Sequence, residues 1–152
     1  MTDYQPEIEA AAKKYGLDPD LVTAVVMKES DGRTNAYRYE PDVWGWFKDN
    51  PKNQGFNKYR AAASYGLMQV LFATATDYGW SSDPEYFFLP KVGLDMGCRH
   101  LAELIRWAKG DLLRALEAYN GGKGNVNGKG ADAEYARDVL AKYHAMVIAR
   151  NQ

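Results

Sequence analysis

The sequence predicts a mainly α-helical fold, and three observations carry that expectation. Apolar residues recur at helical spacing in five separate stretches, strand-like alternation is almost absent, and Asp-Pro starts and glycine stops bracket the periodic segments. There is room for at most one small β-hairpin, near Tyr65 to Val70. The chain of 152 residues is long enough to bury its own core, and no repeat or low-complexity linker divides it. Residues 1–152 therefore read as a single domain.

Each element has a local reason. Ile8, Ala11, Ala12 and Tyr15 make the first amphipathic stripe, which Gly16 stops. Asp18 supplies an N-cap and Pro19 a first helical residue for the second helix, which is apolar nearly all round through Leu21, Val22, Ala24, Val25, Val26 and Met27. From Glu40 to Arg60, Pro41, Gly45, Pro51 and Gly55 punctuate an aromatic-rich excursion with short helices. A short helix is expected through Thr74 to Tyr78, and Asp83-Pro84 repeats the start signal. Leu94, Gly97, Cys98, Leu101, Leu104, Ile105 and Ala108 form the longest stripe, ended by Gly110. Asp111 caps the next helix, with Leu112, Ala115, Leu116 and Tyr119 on its buried face. The loop "GGKGNVNGKG" then crosses to a last helix, striped by Ala136, Val139, Leu140, Tyr143, Met146 and Val147.

Composition excludes several function classes. A formal net charge of −1, with no run of Lys and Arg, carries no footprint for nucleic acid or an anionic membrane surface. The one cysteine excludes an intramolecular disulfide, and its place on the core stripe makes it a buried thiol before a nucleophile. The two histidines and the cysteine have no metal-ligand spacing, so neither metal nor cofactor is expected. The glycine-rich loop lacks Walker spacing and follows a helix, which argues against phosphate binding. No window reaches transmembrane length, and "MTDYQPEIEAAAKKYG" has no apolar h-region, so synthesis in the cytoplasm without a signal peptide is expected.

One ionisable residue is out of keeping with its helix. Glu29 follows Val22, Val25 and Val26 at i+7, i+4 and i+3, and so projects from an apolar face on the last turn. Desolvation and the negative helix end both disfavour its anion, and a carboxyl held protonated near neutral pH is what a general acid requires. The alternative is an ordinary last-turn glutamate reaching into solvent beside Lys28.

"ES" at the end of an apolar helix, then "YGLMQV", "AYNGGKGNV" and "YARDVL", in that order, resembles the Slt-type lytic transglycosylases. That family belongs with goose-type lysozyme in the lysozyme-like superfamily, and the resemblance spans roughly Tyr15 to Leu140. It implies a lysozyme-like fold and cleavage of the β-1,4 bond between N-acetylmuramic acid and N-acetylglucosamine in peptidoglycan. Glu29 matches the catalytic glutamate. Most glycosidases pair two carboxylates, yet spacing gives Glu29 no obvious partner. The family's answer is intramolecular attack by the sugar's 6-hydroxyl, giving a 1,6-anhydro product.

The resemblance also assigns substrate-binding roles. Met68 and Gln69 match residues lining the saccharide groove, though Met68 taken alone reads as core filling, and Ser64 matches more loosely a hydroxyl near the reacting sugar. Asn120 is either a plain helix-end residue before Gly121 or, by the resemblance, a substrate amide beside Tyr119, which is partly core; Tyr135 is either a core-flanking aromatic or the match of a tyrosine whose hydroxyl lies near the glutamate. The family usually has proline where Lys123 stands. Glu40 is the candidate second carboxylate: it pairs structurally with Arg38 or Arg33, contacts a sugar, or holds a water. In the last case the product would be hydrolytic, as in goose-type lysozyme. A non-catalytic glycan-binding relative is the reading from another class. Trp44 and Trp46 are either sugar platforms or core. The implied partner is the glycan strand, met by a monomer with no nucleic acid and no integral membrane association. Because peptidoglycan lies outside the cytoplasmic membrane, a phage endolysin or virion-associated enzyme would reconcile substrate with start sequence.

Overall fold

The computed structural model describes residues 3–152. In chain order these form α1 (Gln5–Lys14), α2 (Pro19–Ser30), β1 (Tyr37–Tyr39), α3 (Pro41–Phe47), α4 (Lys58–Ala61), β2 (Ala63–Tyr65), β3 (Val70–Leu71), α5 (Phe72–Asp77), α6 (Pro90–Trp107), α7 (Leu112–Gly121) and α8 (Gly130–Arg150). Short 3₁₀ turns lie at Pro51–Asn53, Pro84–Phe88 and Lys123–Asn125. The mainly α class expected from periodicity is the class observed. Two compact units divide the chain, one from the N-terminus to Lys28 together with Cys98–Gln152, the other Glu29–Gly97.

In the first unit, helix ends carry the local logic. Asp18 caps α2 by accepting from the Asp20 N–H at 2.9 Å, and its other oxygen accepts from the Tyr143 hydroxyl at 2.7 Å. Arg150 donates to the largely buried Asp20, so α8 is tied to the start of α2 twice. Lys28 bridges to Asp138 at 2.8 Å, and with Lys142 it holds that carboxyl below its ordinary range. Leu104, Ala108, Ala115 and Ala118 form a buried cluster, with Trp107, Tyr119 and Val126 packed against it. Asp111 caps α7 by accepting from the Arg114 N–H at 3.2 Å, as its position predicts. Among the described residues no helix is long and apolar enough to cross a membrane.

The second unit is built around a three-stranded antiparallel sheet in the order β1-β2-β3. Tyr37, Arg38 and Tyr39 face Tyr65, Ser64 and Ala63, while Ser64 and Tyr65 face Leu71 and Val70. The expected hairpin is the β2–β3 pair. The added strand β1 has only three residues, too few for alternation to announce, and its pairing with β2 is non-local. Its core is aromatic: Phe47, Tyr65, Phe72 and Phe87 are buried together, with Phe47 edge-on to Phe72 at 6.2 Å. The turn after β2 needs glycine. Gly66 has φ +78°, and a Cβ there would lie 2.2 Å from the Phe87 carbonyl oxygen. The Asp83-Pro84 signal opens a 3₁₀ turn, and Asp83 makes no side-chain cap.

Candidate functional site

The site grows out of the turn that ends α2. Ser30 is 2% exposed, and its hydroxyl donates to the Leu67 carbonyl at 2.8 Å while accepting from the Gly32 N–H at 3.2 Å. Asp31 and Gly32 take φ of +54° and +78°, which reverses the chain immediately after the helix. Arg33 then donates twice to the Ser30 carbonyl, from its backbone N–H at 3.0 Å and from Nε at 3.1 Å. Glu29 is thus set on the last turn of a helix whose end is tied to the β2–β3 turn, and it is half-buried there.

Glu29 lines a cleft of about 430 Å³ together with Gln69, Arg33, Arg38 and Tyr37. Asn35 adds a second amide to the same wall. Gln69 has φ +49°, and its Nε2 donates to the carbonyls of Ala36 at 3.0 Å and Gly66 at 3.1 Å. Both amide hydrogens are therefore engaged, and the side-chain oxygen is the atom Gln69 can offer to a ligand N–H or hydroxyl. The Tyr37 hydroxyl donates to the Tyr59 carbonyl at 2.5 Å, while 46% of the residue stays exposed. Partial burial, with Tyr39 and Tyr59 adding, raises its pKa above the ordinary tyrosine value, so the phenol stays neutral.

The other residues singled out from the sequence are placed as follows. Glu40 does not line this cleft; it pairs with Arg38 at 3.3 Å, and its N–H donates to Ala62 at 2.7 Å. Ser64 is buried in β2, opposite Arg38 and Leu71. Met68 is fully buried, and a Cβ on Gly97 would fall 2.5 Å from its sulfur, so Met68 packs in the interior and not on the cleft wall. Trp44 packs against the aromatic core, whereas Trp46 is 59% exposed.

In the first unit, Tyr119 is half-buried on α7, its ring 5.6 Å from that of His100. Asn120 is exposed and donates to Asp132 at 2.7 Å, while the Asp132 carboxylate covers Gly121 so closely that a Cβ there would lie 2.2 Å from it. Tyr135 is 7% exposed near the start of α8. Glu117, 6% exposed, accepts from the Gly128 N–H at 3.0 Å and ties the glycine-rich loop to α7.

Asn35 and Tyr37 are cleft residues the sequence reading passed over, and it weighed Arg33 and Arg38 only as partners for Glu40. One signal could have found them: all four follow Glu29 within nine positions, directly after a glycine turn.

The transglycosylase SLT domain family matches residues 6–139. The chain is 28% identical to lysozyme g of Epinephelus coioides over 157 aligned residues, covering 93% of this chain and 73% of that protein. It is 30% identical to membrane-bound lytic murein transglycosylase C of Photorhabdus laumondii, over 81% of this chain and 32% of that protein. An inactive mutant of the lytic transglycosylase Slt from Pseudomonas aeruginosa shares the fold, with a TM-score of 0.72 at 18% identity, over 98% of this chain and 24% of that one. The chain thus spans about a third of one transglycosylase and a quarter of the other. With the family matching most of its length and the acid-bearing helix end within the match, the chain belongs to the transglycosylase SLT domain family.

Proposed function

We propose that the chain cleaves the β-1,4 bond between N-acetylmuramic acid and N-acetylglucosamine in peptidoglycan, as a lytic transglycosylase with Glu29 as its sole acid/base. Family membership supports the enzyme class and the substrate. One observation carries the mechanism: among the described residues that line the cleft, Glu29 is the one carboxylate. A two-carboxylate glycosidase scheme needs a second acid across the sugar, and Glu40 is paired with Arg38 instead.

In this scheme Glu29 gives its proton to the glycosidic oxygen as the bond to the muramoyl C1 breaks. The substrate's 2-acetamido group stabilises the oxocarbenium-like centre. The Glu29 carboxylate then takes the proton of the 6-hydroxyl as that oxygen bonds to C1, closing the 1,6-anhydro ring and consuming no water. The negative end of α2 and partial burial disfavour the Glu29 anion, while Arg33 and Arg38 in the same cleft favour it. The Gln69 side-chain oxygen and the Tyr37 ring face are suited to an acetamido N–H and a sugar face. Buried Ser64 and Met68 support the turn that holds Gln69.

The similarity to lysozyme g over most of both chains favours a second reading, hydrolysis on the same fold. Mass spectrometry of muropeptides released from purified sacculi, with and without borohydride, separates the two. Products one water lighter and refractory to reduction support the transglycosylase, reducible hydrated products the hydrolase, and no release would overturn both.

A further inference from the structure

The Glu29 cleft carries more positive than negative charge, because two guanidinium groups share it with one carboxylate. The two cations differ. Both side chains are exposed, and the difference lies in their partners: Arg38 is paired with Glu40 at 3.3 Å, an arrangement that contributes little in water. Arg33 makes no ion pair among the described residues, and its Nε is engaged by the Ser30 carbonyl at 3.1 Å. That carbonyl belongs to a residue itself fastened to Leu67, so the guanidinium is anchored at its stem. With Nε engaged, the two terminal nitrogens remain for a planar two-oxygen acceptor. An oriented guanidinium without a counter-ion, on the wall that holds the acid, is suited to an anion brought by the substrate.

We propose that Arg33, with Arg38 as a second and more mobile cation, forms a subsite for the carboxylate carried on the 3-O-lactyl arm of the muramoyl sugar. The subsite makes the cleft select peptidoglycan strands over neutral poly-N-acetylglucosamine. This rests on the peptidoglycan reading above. The carboxylate has two sources: acids of the stem peptide on intact strands, and the lactyl acid itself once an amidase has removed the peptide.

The test measures binding and kcat/KM of the wild type, Arg33→Gln and Arg33→Lys on three ligands: peptide-bearing strands, amidase-stripped strands and chitohexaose. Loss of a charge-assisted contact weakens kcat/KM and affinity for carboxylate-bearing strands by about tenfold or more. Chitohexaose affinity stays unchanged, and Arg33→Lys recovers part of the loss. A loss confined to peptide-bearing strands assigns the stem-peptide acids, and a loss on stripped strands assigns the lactyl acid. Equal weakening on all three ligands would overturn the subsite in favour of a purely structural turn residue, as would unchanged handling of both carboxylate-bearing strands. A wild type that releases nothing from sacculi sinks the cleavage reading alone, since the binding comparison still reads the subsite.

Discussion

The Ser30 hydroxyl donates to the Leu67 carbonyl at 2.8 Å, joining the residue after the acid to the β2–β3 turn across 37 positions of sequence. This bond sets where the last turn of α2 stands relative to Gln69. Ser30→Ala leaves a buried carbonyl without that donor, which costs about 1–3 kcal/mol. Thermal unfolding will show the loss and kcat will fall with it; a variant unchanged in both removes this anchor from the account.

Glu29→Gln keeps size and hydrogen bonding but removes the proton cycle. General acid–base catalysis contributes about 10²–10⁴-fold, so kcat drops by roughly that factor while strand affinity stays near the wild type. Glu40→Gln changes kcat by no more than about fivefold, because a structural ion pair at the surface contributes at most about 1 kcal/mol. A large Glu40→Gln defect would restore the two-carboxylate hydrolase.

Gly66→Ala puts a Cβ 2.2 Å from the backbone oxygen of Phe87 at a φ of +78°. Backbone cannot yield as a side-chain tip can, so the cost is about 3 kcal/mol, combining overpacking with left-handed strain. A clear drop in the unfolding midpoint is expected, and a midpoint within a degree of the wild type would contradict the close approach.

Arg60 grips Glu85 with two hydrogen bonds, 2.9 and 2.7 Å. Those bonds hold the Glu85 carboxyl below its ordinary value of 4.5. A carboxyl depressed in the folded state stabilises the fold at pH values above the ordinary one and loses that contribution as pH falls through the folded value. Both partners are partly exposed, so the contribution is about 1 kcal/mol at neutral pH. Glu85→Gln should lower stability at pH 7 and lessen the stability lost to acid between pH 7 and about 3. An acid limb identical to the wild type would discount the pair.

Helices were legible because their signals are local. Asp18 with Pro19, Gly110 and Asp111 mark boundaries that α2, α6 and α7 respect. Room for the β2–β3 hairpin was legible near Tyr65 to Val70, whereas β1 was not, since a three-residue strand exists only through its partner. The cleft was partly legible. Glu29 and Gln69 were singled out and share it, but Met68, beside Gln69 in sequence, lies in the interior against Gly97. Neighbouring residues on a tight turn point apart, and only the packed surroundings decide which is covered.

By itself the sequence determined the mainly α class, the order of its helices, the family motifs and the place of Glu29 on the last turn of an apolar helix. Tertiary structure alone decided which side chains wall the cleft, that the Gln69 amide hydrogens go to Ala36 and Gly66, and that Arg33 is pinned by the Ser30 carbonyl. The physical reason is range. Periodicity and capping arise from residues within a turn or two of each other, whereas the wall of the cleft forms when segments more than thirty positions apart exchange hydrogen bonds.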